Sequence, residues 1–445
     1  MRVVRLPDFL KSAIEWLRDD LPAWLDRRVL IGGGVVAAAI VVVALVVILS
    51  GGDETEGETR VVTVAVASDD PQEAPVGTLG FPLVATRNTT RVGGPDAIAD
   101  AAATALATHP PAPDARPIEA AVLVADGDWQ AGVAAAVLAG PPLRAPLLIG
   151  DRGGVPEATG QALAQLRPRG GSGPADVAVY RVGGAAAPSD LQSEELEGSS
   201  PAEVADSIDK LRGRLLGGEP GHIVVASSEK SPYAMPAAAW AARSGDTVLF
   251  SGAKEVPGST IDALRRHRGV PVYVLGPESV ISDEAVREME RVSPGIQRVG
   301  EQNPVANAVA FARYTDSTFG WNINDPGHGL VLANSSRPLD AAAAATLSAS
   351  GKWGPLLVTD TADALPADLR SFLLDIKPGY EEDPTRAVYN HIWLIGDASQ
   401  IGARVQAEID ELAELAPIGG GTGVAPPPAD NEPEIPAPGA KKGAK

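Results

Sequence analysis

The chain has no cysteine among its 445 residues and is poor in aromatic residues, which make up 4% of it. The absence of cysteine excludes disulfide bonds, thiolate nucleophiles and cysteine-ligated metals. With so few aromatic rings, alanine, valine and leucine must fill the hydrophobic cores. The sequence also lacks an HExxH zinc motif, a Walker A phosphate loop and a Gly-x-Ser-x-Gly nucleophile elbow. We therefore predict no catalytic residues, no metal site and no cofactor.

Acidic residues outnumber basic ones by 57 to 37, which gives a formal net charge of −20. Most of this charge lies between residues 60 and 415. Such a surface repels phosphate polymers, so we expect no nucleic acid partner. The histidines are dispersed, and we interpret them as structural; they are His109, His222, His267, His328 and His391.

One long uncharged segment stands out near the N-terminus. Residues 29–49 are 21 consecutive uncharged, mostly β-branched residues, a length that matches the hydrocarbon thickness of a bilayer. Because 28 residues precede the segment, we favour an uncleaved membrane anchor over a cleaved signal peptide. Arg27 and Arg28 lie on one side and an acidic stretch on the other, so the N-terminus is predicted to be cytoplasmic. The sequence thus predicts a single-pass protein of the cell membrane whose main region is extracytoplasmic.

The segments around this anchor differ in composition. Residues 1–28 have helical spacing of apolar side chains and are predicted to be a cytoplasmic amphipathic segment. Residues 50–86 are an acidic linker with a lead-in strand, and residues 416–445 are a Pro/Gly/Ala-rich tail that we expect to be disordered. Small residues spaced four apart in the anchor leave self-association open.

The region between linker and tail contains one pattern three times. The first copy reads AVLVADGDW from residue 121, PLLI from 146 and VAVYRVGG from 177; the second reads HIVVASS, TVLF and VPVYVLG; the third reads GLVLANS, PLLV and HIWLIGD. The equivalent positions Ala125, Ala226 and Ala333 lie 101 and 107 residues apart. A period this long exceeds that of solenoid repeats, so each copy is expected to form a lobe with its own core.

The alternation of elements within each copy predicts the fold class. Short apolar runs bounded by glycine, proline and aspartate are typical of strands buried on both faces, and alanine-rich helical stretches lie between them. This order predicts an α/β fold with parallel sheets. We expect three tandem Rossmann-like βαβαβ lobes, formed by residues 87–190, 191–292 and 293–415.

The strings RVGGPDAIADAAATA from Arg91 and RVGEQNPVANAVAFA from Arg298 precede two of the copies, and glycines close all three. In this order the motifs resemble the cell wall-binding repeat 2 family. The resemblance implies three Rossmann-like lobes around a pseudo-threefold axis. It also implies non-covalent attachment to an anionic cell-wall polymer in which the Pro-Ile-Leu-Leu element takes part.

Candidate binding residues come from this resemblance and from the loops at the carboxyl ends of the strands, where parallel sheets bind ligands. Arg91 and Arg298 occupy equivalent positions, and either ligand contact or pairing with a carboxylate between lobes accounts for them. The full set of candidates is Arg91, Pro146, Leu147, Leu148, Ile149, Arg152, Arg298, Pro355, Leu356, Leu357 and Val358.

Two functions from different classes fit these observations. In the first, the chain is a non-catalytic, membrane-anchored binding or scaffolding protein that contacts a wall polymer or an envelope protein. In the second, it is a Rossmann-like enzyme of the envelope that handles sugars or nucleotides. The first is favoured because it requires no catalytic motif and accounts for the anchor.

Overall fold

The computed structural model describes residues 84–110, 117–171, 176–349 and 353–418. Four predicted segments lie wholly or mostly outside the described residues. They are the cytoplasmic segment, the predicted membrane anchor at 29–49, the acidic linker and the tail. None of the described helices combines the length and hydrophobicity that crossing a bilayer requires.

Strands and helices alternate along the described chain. The strands are β1 (Val84–Ala85), β2 (Thr89–Val92), β3 (Ala121–Ala125), β4 (Leu147–Gly150), β5 (Val179–Val182), β6 (Ser193–Leu196), β7 (Ile223–Ser227), β8 (Thr247–Ser251), β9 (Val272–Leu275), β10 (Gln297–Val299), β11 (Gly329–Asn334), β12 (Trp353–Thr359), β13 (Gly379–Tyr380), β14 (His391–Ile395) and β15 (Ala416–Pro417). The helices are α1 (Ala97–Thr108), α2 (Trp129–Ala135), α3 (Glu157–Leu166), α4 (Pro201–Leu216), α5 (Ser231–Ser244), α6 (Gly258–Arg266), α7 (Asp283–Glu290), α8 (Pro304–Arg313), α9 (Asp340–Ser348), α10 (Ala367–Asp375) and α11 (Ala403–Ala413).

Helix boundaries follow capping residues in the sequence. The side chain of Ser200 accepts a hydrogen bond from the backbone N–H of Glu203 at the start of α4, and Pro201 occupies the first turn. The helix ends at Gly217, whose φ of 69° is left-handed and therefore favours glycine. Asp96 and Asp128 cap α1 and α2 in the same way. These caps fix where each helix begins relative to the preceding strand.

Three parallel sheets contain four strands in the same order. They are β4-β3-β5-β6, β8-β7-β9-β10 and β12-β11-β14-β2, with β1 added antiparallel to β2. In each sheet the first strand of a copy lies between the Pro-Leu-Leu-type strand and the closing strand. The predicted α/β class with parallel sheets is therefore confirmed. Ala416 and Pro417, at the start of the predicted tail, pair with β13 in a small separate sheet.

The fourth strand of each sheet comes from the segment that opens the next copy. β6 pairs with β5 of the first copy and β10 pairs with β9 of the second. β2 precedes the first copy in sequence, yet it pairs with β14 of the third copy, with Arg91 opposite Leu394. Residues 89–92, which the sequence placed in the first lobe, thus belong to the sheet of the third. The three sheets are linked in a closed cycle.

Helices complete this cycle at its centre. The helices that follow the first strand of each copy, α2, α5 and α9, contact one another. They are rich in alanine, and α9 is buried along its whole length. Small side chains allow close approach: a Cβ atom added to Gly132 would lie 3.3 Å from the Cβ of Ala342. One hydrophobic core therefore extends through all three copies.

Arg91 fastens the first opening strand to the third copy. Its side chain is buried, and its guanidinium donates hydrogen bonds to the backbone oxygens of Gly396, Asp397 and Ile401 at 2.9, 2.8 and 2.6 Å. Its Nε donates to the side-chain oxygen of Gln406 at 3.0 Å. Burial lowers the pKa of Arg91, and the charge of Asp397 opposes this shift. The residue thus provides donors to carbonyls in the loop between β14 and α11.

The other two opening strands use related but weaker contacts. Arg298 on β10 donates to the backbone oxygen of Gly276 at 2.8 Å and to the carboxylate of Asp283 at 3.0 Å, and it is partly exposed. On β6 the charges are reversed, because Glu195 occupies the equivalent position and pairs with Arg181 of the closing strand at 3.0 Å. Each joint thus has its own charge pattern.

A buried polar network holds α4, α6 and β8 of the second copy together. The carboxylate of Asp209 accepts hydrogen bonds from Thr247 at 2.5 Å and Arg266 at 2.6 Å and contacts the Nε2 of His267 at 2.7 Å. The other ring nitrogen of His267 contacts Glu219. Burial alone would lower the pKa of His267, but the hydrogen bonds and charges of the two carboxylates outweigh it and raise the pKa. The same partners outweigh burial at Asp209 and lower its pKa to about 2.

Removing Arg91 is expected to destabilise the fold more than removing Arg298. Arg91→Ala removes the arginine donor from the buried carbonyls of Gly396 and Ile401 and from the side chain of Gln406, which costs about 3–5 kcal/mol in the free energy of unfolding. Arg298→Ala, the matched control on the equivalent strand, loses partly exposed contacts and costs about 1 kcal/mol. Urea unfolding followed by circular dichroism measures both values. Equal losses in the two variants would contradict the assigned role of Arg91.

His267 is expected to make stability depend on pH. A histidine whose pKa is raised by folding contributes stability below its unfolded pKa of about 6.5, and this contribution is lost as the pH rises through the folded value. Asp209, with its lowered pKa, contributes above about pH 4 and loses its contribution as the pH falls towards 2. The stability difference between the wild type and His267→Asn should therefore be larger at pH 5.5 than at pH 8.5 in urea unfolding. A difference that does not change between these pH values would refute this account.

Candidate functional site

A cavity of about 350 Å³ lies at the carboxyl ends of the strands where the third copy meets the first. Loops following β2, β3, β11 and β14 form its walls. Two of the loops that the sequence predicted as ligand-binding, those after β3 and after β11, are brought together here. The side chains that shape the cavity are Asp96, Trp129, Arg337, Leu339 and Gln400. We refer to it as the seam cavity.

Glycines allow the loops around the seam cavity to approach one another closely. Gly93 has φ of 127° and Gly396 has φ of 94°, both in the region that disfavours side chains. A Cβ atom on Gly93 would lie 2.1 Å from a carboxylate oxygen of Asp100 and 2.8 Å from the backbone nitrogen of Gly396. The Arg-Val-Gly-Gly string therefore permits contact between backbones at the joint of the two copies.

A buried charge cluster lies beneath the cavity. The guanidinium of Arg337 contacts the carboxylates of both Asp100 and Asp340, and the latter contact measures 3.3 Å. Arg337 also donates to the backbone oxygen of Pro95 at 3.0 Å, while Asp100 accepts from the backbone N–H of Gly94 at 2.6 Å. Both aspartates are fully buried, so two carboxylates share one guanidinium in a low-dielectric setting.

Burial dominates the ionisation of Asp340. It raises the pKa of this carboxyl to about 7, although the charge of Arg337 and a hydrogen bond from it act in the opposite direction. A carboxyl with this pKa changes its charge near neutral pH. Gain or loss of this proton therefore changes the charge of the cluster by one unit. Such perturbed groups beside a cleft are common at functional sites.

The joint between the second and third copies is built in the same way, but the side chain that corresponds to Asp100 there is uncharged. A Cβ atom on Gly300 would lie 2.7 Å from the Cα of Gly276. The backbones therefore approach as closely here as at the joint between the third and first copies. Asn307 on α8 lies against Gly300, as Asp100 of α1 lies against Gly93. Asn307 is fully buried, and neither of its side-chain polar atoms has a hydrogen-bond partner within the described residues. At the joint between the third and first copies the corresponding side chain, Asp100, is instead charged and pairs with Arg337.

The structure places most of the predicted binding residues in the interior. The Pro-Leu-Leu-Ile and Pro-Leu-Leu-Val strands are central to the cores of the first and third copies; their buried members are Pro146, Leu147, Leu148, Ile149, Pro355, Leu356, Leu357 and Val358. Side chains in these positions shape the sheets from which the binding loops extend. They do not face the solvent, where a large polymer would make contact.

The three predicted arginines lie in three different surroundings. Arg91 is buried beneath the loop after β14, where it supports the seam cavity from below. Arg298 is partly exposed at the joint of the second and third copies. Arg152 is exposed at the carboxyl end of β4, and within the described residues it forms no ion pair. The structure does not bring these three together.

Sequence reasoning missed the side chains that shape the seam cavity. Trp129 follows the predicted loop directly. Its ring packs nearly perpendicular to that of Phe250, with 6.1 Å between the ring centroids. Arg337 lies one residue beyond the predicted loop at 334–336, and Gln400 lies three residues beyond the predicted loop at 396–397. The signal that was present is that Trp129 is a rare residue type in this chain and stands at a helix N-terminus.

Comparisons with known proteins agree with this architecture. Cwp8 from Clostridium difficile superposes with a TM-score of 0.57 at 17% sequence identity, covering 74% of this chain and 52% of that protein. Cwp6 from the same organism superposes with a TM-score of 0.57 at 16% identity, covering 72% of this chain and 48% of that protein. The chain therefore spans about half the length of each. No protein-family profile and no curated protein sequence matches it. The likeness shows that the chain shares its fold with Cwp8 and Cwp6.

Proposed function

We propose that this chain is a cell-wall-associated binding or scaffolding protein without catalytic activity, in which three Rossmann-like lobes surround a pseudo-threefold axis. The observation that carries the proposal is the repeated strand order, closed by β2, together with its likeness to the cell wall proteins Cwp8 and Cwp6. The motifs that resemble the cell wall-binding repeat 2 family support it independently. A closed ring of lobes presents several similar loop regions to an extended polymer.

In this proposal the seam cavity is a contact point for the wall polymer. A half-buried tryptophan ring offers an apolar face to a sugar ring, and the amide of Gln400 and the guanidinium of Arg337 offer polar partners beside it. Arg152, exposed at the same edge of the first sheet, adds a positive charge for an anionic group. The buried leucine strands then act by holding these loops in place.

We further propose that residues 29–49 tether the protein to the cell membrane with its repeats outside. The length and hydrophobicity of the segment support this, as does the placement of Arg27 and Arg28 on one side of it. A tether and a wall-binding region on one chain would link the membrane to the wall. Envelope proteins are the alternative partners of the same surface.

Trp129→Ala is expected to weaken retention on cell walls. The full-length chain in mild detergent is mixed with isolated walls of the producing organism, and the sedimented fraction is measured at low salt. The wild type should sediment with the walls, and Trp129→Ala should lower its apparent affinity about tenfold because the sugar contact is lost. Tyr389→Ala, which removes an exposed aromatic ring outside the seam cavity, is the matched control.

Absence of sedimentation by the wild type, with or without added calcium, would contradict wall attachment. Release of soluble sugar from the walls during the incubation would instead favour the enzyme hypothesis. Equal loss of retention in Trp129→Ala and Tyr389→Ala would remove the seam cavity from the proposal while leaving wall attachment intact.

The tether predicts which part of the chain a protease reaches. Protease added to intact protoplasts should remove residues 60–445 and leave a small fragment that contains residues 29–49 with the membrane. Immunoblotting with tags at either terminus measures this, and protoplasts opened by detergent serve as the control. Protection of the C-terminal tag in intact protoplasts would refute the proposed orientation.

A further inference from the structure

A second and larger cavity, of about 700 Å³, lies at the amino ends of β3 and β4. It is separate from the seam cavity, which lies at the carboxyl ends of the strands. All three copies contribute to it. The first copy supplies His109, Ile118 and Leu143, the second supplies Arg243 from the last turn of α5, and the third supplies Thr346 from α9. This composite cavity exists only when the three copies are assembled.

The walls of the composite cavity are held in place by contacts between copies. The backbone N–H of Leu147 donates to the side-chain oxygen of Thr346 at 3.2 Å, which joins the first copy to the third. A Cβ atom on Gly140 would lie 2.7 Å from the backbone oxygen of Ala242, so the turn after Gly140 lies directly against the end of α5. Both sides of the cavity are therefore fixed before any ligand arrives.

Two arginines face this cavity without a partner. Arg144 and Arg243 are exposed, and within the described residues neither guanidinium forms an ion pair or a side-chain hydrogen bond. Among the described residues that line the cavity, two carry a guanidinium and one, Glu119, carries a carboxylate.

The backbone holds Arg144 in a special conformation. Its φ is 50°, in the left-handed region that side chains disfavour, and its backbone N–H donates to the oxygen of Gly140 at 2.8 Å. Residues kept in this region cluster at ligand-binding sites. His109 lies at the same wall, and burial lowers its pKa, partly offset by hydrogen bonds to the backbone of Ala105 and Arg144. Its Nδ1 lies 3.0 Å from the hydroxyl oxygen of Thr108, so these contacts hold the ring in place.

We propose that the composite cavity binds a small organic anion of about monosaccharide size, with its phosphate or carboxylate group held by Arg144 and Arg243. Guanidinium groups recognise these oxyanions through paired hydrogen bonds. Ile118 and Leu143 provide apolar contact for the body of the ligand, and the volume is in the range of small-molecule sites. This site is independent of the proposed wall association, since a soluble ligand reaches it in the purified protein.

Isothermal titration calorimetry on the purified full-length chain tests the site with three sugars that differ in one group. Glucose 1-phosphate carries a phosphate, glucuronate carries a carboxylate, and glucose carries neither. We expect saturable binding of at least one of the two anions and none of glucose, and the anion that binds identifies the preferred group. Binding of neither anion, or binding of glucose as tight as that of the anions, overturns the proposal.

Variants locate the site. Arg243→Gln changes an exposed residue in the last turn of α5, where the fold tolerates the substitution. Arg144→Gln keeps an unbranched polar side chain at an exposed position of the turn. Each is expected to weaken anion binding about tenfold or more. Arg404→Gln removes from α11 an exposed arginine that forms no ion pair within the described residues, and it should leave binding unchanged. Anion binding that is unaffected by both cavity variants, or that is weakened equally by the control, would refute this location.

Discussion

Backbone hydrogen bonds between each opening strand and the closing strand of the preceding copy hold the three copies together. Because β6, β10 and β2 each complete the sheet of a neighbour, a copy cut out of the chain would lack its fourth strand. The helices after these strands, α1, α4 and α8, then pack on the sheets of their own copies. Every joint is thus crossed by the chain itself, and the first strand closes the cycle by joining the third sheet.

The three joints have the same backbone geometry but different charges. The joint between the third and first copies contains buried Arg91 and the cluster of Arg337 with two aspartates. At the joint between the second and third copies, the neutral Asn307 occupies the position that corresponds to Asp100. The remaining joint reverses the charges, with Arg181 opposite Glu195. An opening strand that carries an arginine would meet Arg181 in the wrong sheet, and like charges opposite each other are unfavourable. The charges therefore disfavour pairing of β2 or β10 with the first sheet.

Much of this fold follows from the sequence because short apolar runs and alanine-rich helices repeat in one order. The Pro-Leu-Leu-Ile run at residues 146–149 is buried on both faces, as its composition predicts. The caps at Asp96 and Asp128 also follow from residue type. The sheet that β2 joins does not follow, since hydrophobic periodicity records which face of a strand is buried but not which neighbour it pairs with.

The candidate site was predictable in part for the same reason. Parallel topology places the loops after β3 and β11 at a binding edge, and these loops do meet in the seam cavity. That they meet across two copies depends on the closure by β2, which periodicity does not reveal. Arg91 shows the limit most clearly: its position in an opening motif predicts a role at a joint, but only the fold shows that its four hydrogen bonds are all internal.

The cyclic closure has a consequence for biosynthesis. β2 emerges from the ribosome early, yet its partner β14 begins at His391, roughly 300 residues later. At typical elongation rates the strand waits for about 15–60 s without its native neighbour. An unpaired strand is prone to associate with other chains, and the shortness of β2 and the charge of Arg91 within it reduce that tendency. Arg91 would then act twice, first to keep the nascent strand soluble and later to fasten it in the finished ring.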